Sequence, residues 1–193
     1  SPAQRAFAEA HSRYVFVNPF QTPQWTASFE DVQSLPLGLD AEVARVEPIR
    51  VTGRNVLGPL LIKSEALARY ARERIVAGQA SDLNADESRL YVDLYTTTLY
   101  YRFRDEFHEF DPANAQRCLA LYRRFLELFR YFVETPHARE PHFADPARSF
   151  ACLFLIRRAF HLVRHYVRGN SRPIEALRAA IWHSIFTNDF RMY

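Results

Sequence analysis

The sequence is short of glycine. Five glycines in 193 residues suit helices packed through large side chains better than a turn-rich sheet protein. They are also too scattered for a Gly-x-x-x-x-Gly-Lys-Ser/Thr phosphate loop, a dinucleotide-binding glycine pattern or a Gly-x-Ser-x-Gly nucleophile elbow. Cysteine is scarcer still. Cys118 and Cys152 sit in apolar stretches with no CxxC or zinc-ligand neighbour, and two are too few for a disulfide framework, so buried reduced thiols are expected. No apolar run approaches the roughly 18 residues of a membrane span; "FACLFLI" at 150–156 is the longest notable one. No signal-peptide pattern opens the chain, and a soluble, cytoplasmic protein with no membrane partner is the expectation. Lysine is nearly missing: of 25 basic residues, Lys63 alone is not arginine. Arginine favours planar, bidentate anion contacts, but the arginines form no clustered patch, so direct nucleic-acid binding is not expected.

Bulk apolar side chains, by contrast, are plentiful. Hydrophobic residues make up 48% and aromatic residues 15% of the chain, with 16 Phe and 10 Tyr. That is enough to build a sizeable core in one domain, or in one domain with an appendage. The net charge of +3 hides an asymmetry. Residues 1–100 carry 10 basic and 12 acidic groups, and residues 101–193 carry 15 and 10.

Helix punctuation is legible along the chain. The opening stretch reads as a helix ending at Asn18-Pro19, because a residue before proline is pushed out of the helical region. Thr22-Pro23 reads as an N-cap with proline at the first helical position, opening a helix to about Val32. Asp40 reads as the cap of a short helix at 41–47, and 48–56 as a loop. Further helices are expected at 59–77 (closed by Gly78), 86–109, 112–134 (opened by Asp111-Pro112), 146–168 (opened by Asp145-Pro146, stopped by Gly169) and 172–186 with Ser171 as N-cap. "ETPHAREPHFADP" at 134–146 reads as a connection between antiparallel helices. The expectation is an all-α, multi-helix bundle of about six to eight helices.

The helix at 146–168 is the most informative element. Ile156, Phe160, Val163 and Val167 make one apolar stripe, while Arg157, His161, Arg164, His165 and Arg168 share another face. Two histidines one turn apart can bind a metal, His–Arg stripes can hold an anion, and such a face can also be plain solvated surface. "HLVRH" lacks the glutamate of HExxH and its arginines disfavour a cation, so no metal and no cofactor are expected. Asp105-x-x-His108 only approximates the Glu-x-x-His of carboxylate metal sites. His137 and His142 are a weak loop pair. The helix 86–109 holds Tyr91, Tyr95, Tyr100 and Tyr101, which can wall a pocket or fill a core. Arg157, His161, His165, Tyr95 and Tyr100 are thus the candidate ligand-binding residues. No nucleophile, base and orienter come together, so catalysis has little support.

One stretch carries a resemblance. "RRAFHLVRHYVRGNSRPIEALRAAIWHSIFTND" resembles the junction in a group of bacterial sigma-54-dependent transcriptional regulators. There, an "RRAF"-type helix is followed by a Gly-x-Ser helix and a Trp-x-Ser-Ile-Phe-Thr-x-Asp-like stretch. The matching residues are Arg157, Arg158, Ala159 and Phe160; Gly169, Ser171, Leu177 and Arg178; and Trp182, Ser184, Ile185, Phe186, Thr187 and Asp189, with Asn188 standing where histidine is expected. "YVFVNPF" at 14–20 is similar to an "ANPF" motif near the start of the same regulators. The resemblance implies that residues 1–168 are a regulatory or sensory domain, and that 169–193 are a linker and first helix leading into an AAA+ ATPase domain. Gly169, Ser171, Arg178 and Trp182 would then be coupling residues. The partners would be that ATPase domain, a small-molecule or protein signal, and other copies of the full-length chain. Trp182 and Phe186 would be exposed without the ATPase. Other readings of the sequence are a free-standing ligand-binding or protein-interaction module, or a small helical enzyme using a metal or haem.

Overall fold

The computed structural model describes residues 1–48, 57–79, 83–109, 113–134 and 145–186. Among these residues it is all-α, as expected, with eight helices and no strand. They are α1 (Pro2–Val15), α2 (Thr22–Ser34), α3 (Asp40–Arg45), α4 (Gly58–Val76), α5 (Ala85–His108), α6 (Ala115–Val133), α7 (Pro146–Tyr166) and α8 (Arg172–Ile185).

The longest helix, α5, is the axis of the bundle and packs against α1, α4, α6 and α7. Its residues Leu90 through Tyr95 are buried in succession, so more than one face meets protein. Several of its buried polar groups are hydrogen-bonded, while the buried Thr96 hydroxyl has no partner among the described residues. Thr97 and Thr98 donate to the carbonyls of Asp93 and Leu94 one turn back, Asp93 accepts from Ser12 of α1, and the Tyr91 hydroxyl donates to the Phe132 carbonyl of α6. From α6, Leu121, Phe125, Phe129 and Phe132 recur at helical spacing and enter the core. Phe125 meets Phe103 of α5 and Phe150 of α7 edge to face. Fully burying a residue of this size contributes roughly 1.5–3 kcal/mol.

The helix ends follow the sequence with three corrections. At the end of α4, Gly78 adopts φ +70°, its N–H donates to Ile75, and Gln79 donates to Arg74. This pattern needs a left-handed residue, which is why glycine stands there. Asn84 opens α5 by exchanging hydrogen bonds with Glu87, and Asp145 opens α7 by accepting from the Ala147 N–H. Helix α6, however, begins at Ala115, not at 112. Asn114 accepts from the Arg117 N–H and is the effective cap, while Asp111 and Pro112 lie outside the described residues. Thr22 and Asp40 are first helical residues rather than caps; Gln21 and Leu39 precede them and make no side-chain cap bond. The loop expected at 48–56 lies outside the described residues apart from Pro48. The connection at 134–146 does so too, His137 and His142 included, except for its ends.

Buried side chains form two clusters. The main core draws on α1, α2 and α4 to α7. A second, smaller core contains Phe20, Val163, Ala179, Trp182 and Phe186, and Ile156 of α7 packs against both.

Candidate functional site

The basic face of α7 is less uniform than its periodicity suggests. Arg157 is half-buried. Its guanidinium lies 6.0 Å from the Phe160 ring and beside the Tyr100 hydroxyl of α5, while its Nε is buried without a hydrogen-bond partner. Burial pushes the Tyr100 phenol up, and the nearby Tyr101 adds to this; the Arg157 charge opposes both. His161 and His165 stack at 5.7 Å, and the His108 ring from the end of α5 meets His161 at 4.4 Å. Desolvation holds His161 below the ordinary histidine range, and the charges of His108, His165 and Arg157 push it the same way. The cluster therefore resists protonation at its centre. Among the described residues, no three His, Cys, Asp or Glu side chains are placed to hold a metal ion.

Tyr95 does not join this face. It stacks on Phe132 of α6 and meets Tyr91 edge to face, deep in the main core. Tyr95 and Tyr100 are five residues apart on one helix, so they project on different sides. Arg157, His161, His165 and Tyr100 come together, then, and His108 is the neighbour that sequence periodicity could not supply.

Three of the four coupling candidates, Gly169, Ser171 and Arg178, meet at the turn between α7 and α8. Gly169 has φ +119°, and a Cβ there would stand 3.3 Å from the Ile174 side chain, so a side chain at this position is strained. Ser171 is the N-cap of α8 but makes no side-chain cap bond. Arg178 reaches back from α8 and donates through Nε to the Val167 carbonyl and through Nη2 to the Gly169 carbonyl, both at 2.8 Å. A cation on carbonyls at a helix C-terminus also suits the helix dipole.

Trp182 and Phe186 are buried, contrary to the expectation that they would be exposed. The Phe20 ring stacks on Phe160 at 5.1 Å and meets Trp182 at 5.7 Å; Trp182 meets Phe186 at 4.5 Å. Asn18 fixes this arrangement. Its Nδ2 donates to the Ala179 carbonyl of α8 at 2.9 Å, and its Oδ1 accepts from the Phe20 N–H at 3.0 Å. Asn18 and Phe20, inside the stretch "NPF", are therefore functional candidates alongside Arg178 and Trp182. Their spacing from α8 in sequence concealed the contact; the Asn18-Pro19 pair just after α1 was the available signal. Residues 187–193, which include Thr187, Asn188 and Asp189, lie outside the described residues. No protein-family model, no curated protein and no solved structure matches this chain.

Proposed function

We propose that the chain is a signal-sensing regulatory domain of a sigma-54-dependent transcription activator, and that α8 conveys the state of the bundle to an ATPase domain. One observation carries this reading. The two stretches that resemble such regulators, 14–20 and 157–189, are far apart in sequence, and their described residues meet around one small core, through Asn18, Phe20, Phe160 and Trp182, with Arg178 at its edge. A shared signature built only to fill a bundle would have no need to concentrate at the root of the last helix. Control of this kind requires that a signal favour one of two placements of α8, and a helix held by few side chains is suited to have two.

The role is that of a binding and relay domain, without chemistry of its own. The test starts from the gene: its frame should continue past Tyr193 into a Gly-x-x-x-x-Gly-Lys-containing domain. In that full-length protein, Asn18→Ala with Arg178→Ala should change transcription from a sigma-54 promoter at unchanged protein abundance. A stop codon directly after Tyr193, or an ATPase rate indifferent to deletion of residues 1–168, would sink the reading.

A further inference from the structure

Large apolar side chains reach solvent mainly along the last two helices. Five of the seven exposed among the described residues, Leu155, Leu162, Tyr166, Leu177 and Ile185, belong to α7 and α8. Single exposed apolar residues are ordinary, but several on one strip leave apolar area that a partner can cover. Helix α7 carries such a strip. Leu162 and Tyr166 follow Leu155 by seven and eleven residues, close to two and three whole turns, so all three lie on one edge. They are 56% (Leu155), 41% (Leu162) and 74% (Tyr166) exposed. Leu153 and Val163, on the other side of the helix, are buried in the bundle.

The same helix has charge of one sign. Residues 146–168 contain five arginines and no Asp or Glu. In α4 to α6 arginines are matched by carboxylates. Glu65, fully buried where it lines a cavity of about 500 Å³ between α3, α4, α5 and α6, is held by Arg69 and Arg102, each at 2.8 Å. Arg117 and Arg124 of α6 pair with Glu109 and Glu106 at the end of α5. On α7, Arg157, Arg158, Arg164 and Arg168 make no ion pair among the described residues. Arg158 bears directly on the strip. It is exposed, three residues after Leu155 and four before Leu162, and so stands beside both on the helix surface. Arg148, also exposed and about two turns before Leu155, extends the same edge.

An apolar strip with a cation at its middle and another at one end selects its occupant by charge. A second copy is disfavoured, because pairing in either direction brings two arginine-bearing strips together with no carboxylate on either. A bilayer would have to accommodate Arg158 between the two leucines it adjoins. A helix that is apolar along one stripe and acidic beside it meets neither objection. We infer that this edge of α7 is the docking surface for an amphipathic, acidic helix of a partner protein. The strip spans about 17 Å, eleven residues at about 1.5 Å each, which three turns of such a helix cover. Its apolar side chains lie among Leu155, Leu162 and Tyr166, and its carboxylates meet Arg158 and Arg148. The surface stands independently of the regulatory role proposed above.

The probe is a fluorescein-labelled peptide of about 18 residues, long enough for a helix, with Leu at every third or fourth position, Glu flanking them and Ala elsewhere. A counterpart carries Lys in place of every Glu, and both are titrated with the full chain by fluorescence anisotropy. The acidic peptide should bind saturably, and the lysine peptide at least about tenfold more weakly. Arg158→Glu should weaken the acidic peptide about tenfold and tighten the lysine peptide, an exchange that a merely structural arginine would not produce. Leu162→Ser should weaken both peptides about tenfold. Both side chains are exposed, so helical circular dichroism should be unchanged, and Arg13→Glu on the surface of α1 should leave both titrations as they were. Equal binding of the two peptides, no binding of either at about 1 mM, or an Arg13→Glu effect as large as that of Arg158→Glu would overturn the inference. So would a dimer in sedimentation that Leu162→Ser dissolves, which makes a second copy the occupant. Anionic lipid vesicles that bind the chain through Leu162 more tightly than the acidic peptide does would overturn it in favour of a membrane.

Discussion

The two cores of this protein are held in different ways. The main core is knit from aromatic and aliphatic side chains of six helices, with Phe7, Phe125 and Phe132 wholly buried and the hydroxyls of Ser64, Thr97 and Thr98 bonded to backbone one turn back. The second core has five buried residues, and two side chains, Asn18 and Arg178, tie its parts together through backbone carbonyls. Opening free energies within one protein range from near zero up to the global value, and elements with few buried contacts lie at the low end. The comparison teaches that α8 is attached rather than integrated. Such an element is expected to open before the bundle does.

The sharpest way to break this contrast is to damage each core and ask what is lost. Phe125→Ala should destabilise the whole bundle by about 3–5 kcal/mol, read as a shift of the entire denaturant transition. Trp182→Ala should cost a similar amount, about 3 kcal/mol, but locally. Amide exchange should speed up along α8, while amides of α5 and α6 keep their protection; uniform loss of protection would show that the two cores are one.

Acid probes the main core through one histidine. His11 is fully buried on α1, and neither ring nitrogen has a hydrogen-bond partner. Burial depresses it from 6.5 to about 3. The unfolded chain therefore takes up a proton below about pH 6.5 that the fold refuses. The stability it contributes is full above that pH and is lost as the pH falls toward the folded value. Between pH 6.5 and 5 the loss should be about 2 kcal/mol, and His11→Leu should abolish it in urea titrations at the two pH values. The substitution should also stabilise the protein at pH 7, because it removes two unsatisfied buried groups.

The smallest effect belongs at the seam. Gly169→Ala should cost about 1–2 kcal/mol, from the positive φ and the close Ile174 side chain. It should appear as weaker α8 protection with an unchanged main transition.

Much of the fold was legible because helix ends are local chemistry. Asp145-Pro146 and Gly78 act through their own backbone neighbours, so the sequence around them is enough. "DPANAQ" misled because it holds two candidate caps, and the choice of Asn114 depends on where the chain enters the bundle. The candidate site was legible by face and not by partner. Periodicity grouped Arg157, His161 and His165, but it could not bring His108 of α5 to 4.4 Å from His161 or send Tyr95 to α6. Nor could it reveal that Phe20 is the lid on Trp182, since that contact joins opposite ends of the chain. The cavity around Glu65 left no trace in any motif, because its charges come from α3, α4 and α5 and become a pattern only when those helices meet.

The Arg–Glu–Arg arrangement at 65, 69 and 102 has a consequence for how this sequence can drift. Loss of either arginine would leave the buried Glu65 carboxylate with one partner instead of two, and loss of Glu65 would leave two guanidiniums without their shared anion. The three positions cannot wander independently. Across descendants of this chain they should be inherited as a block, changing together or not at all.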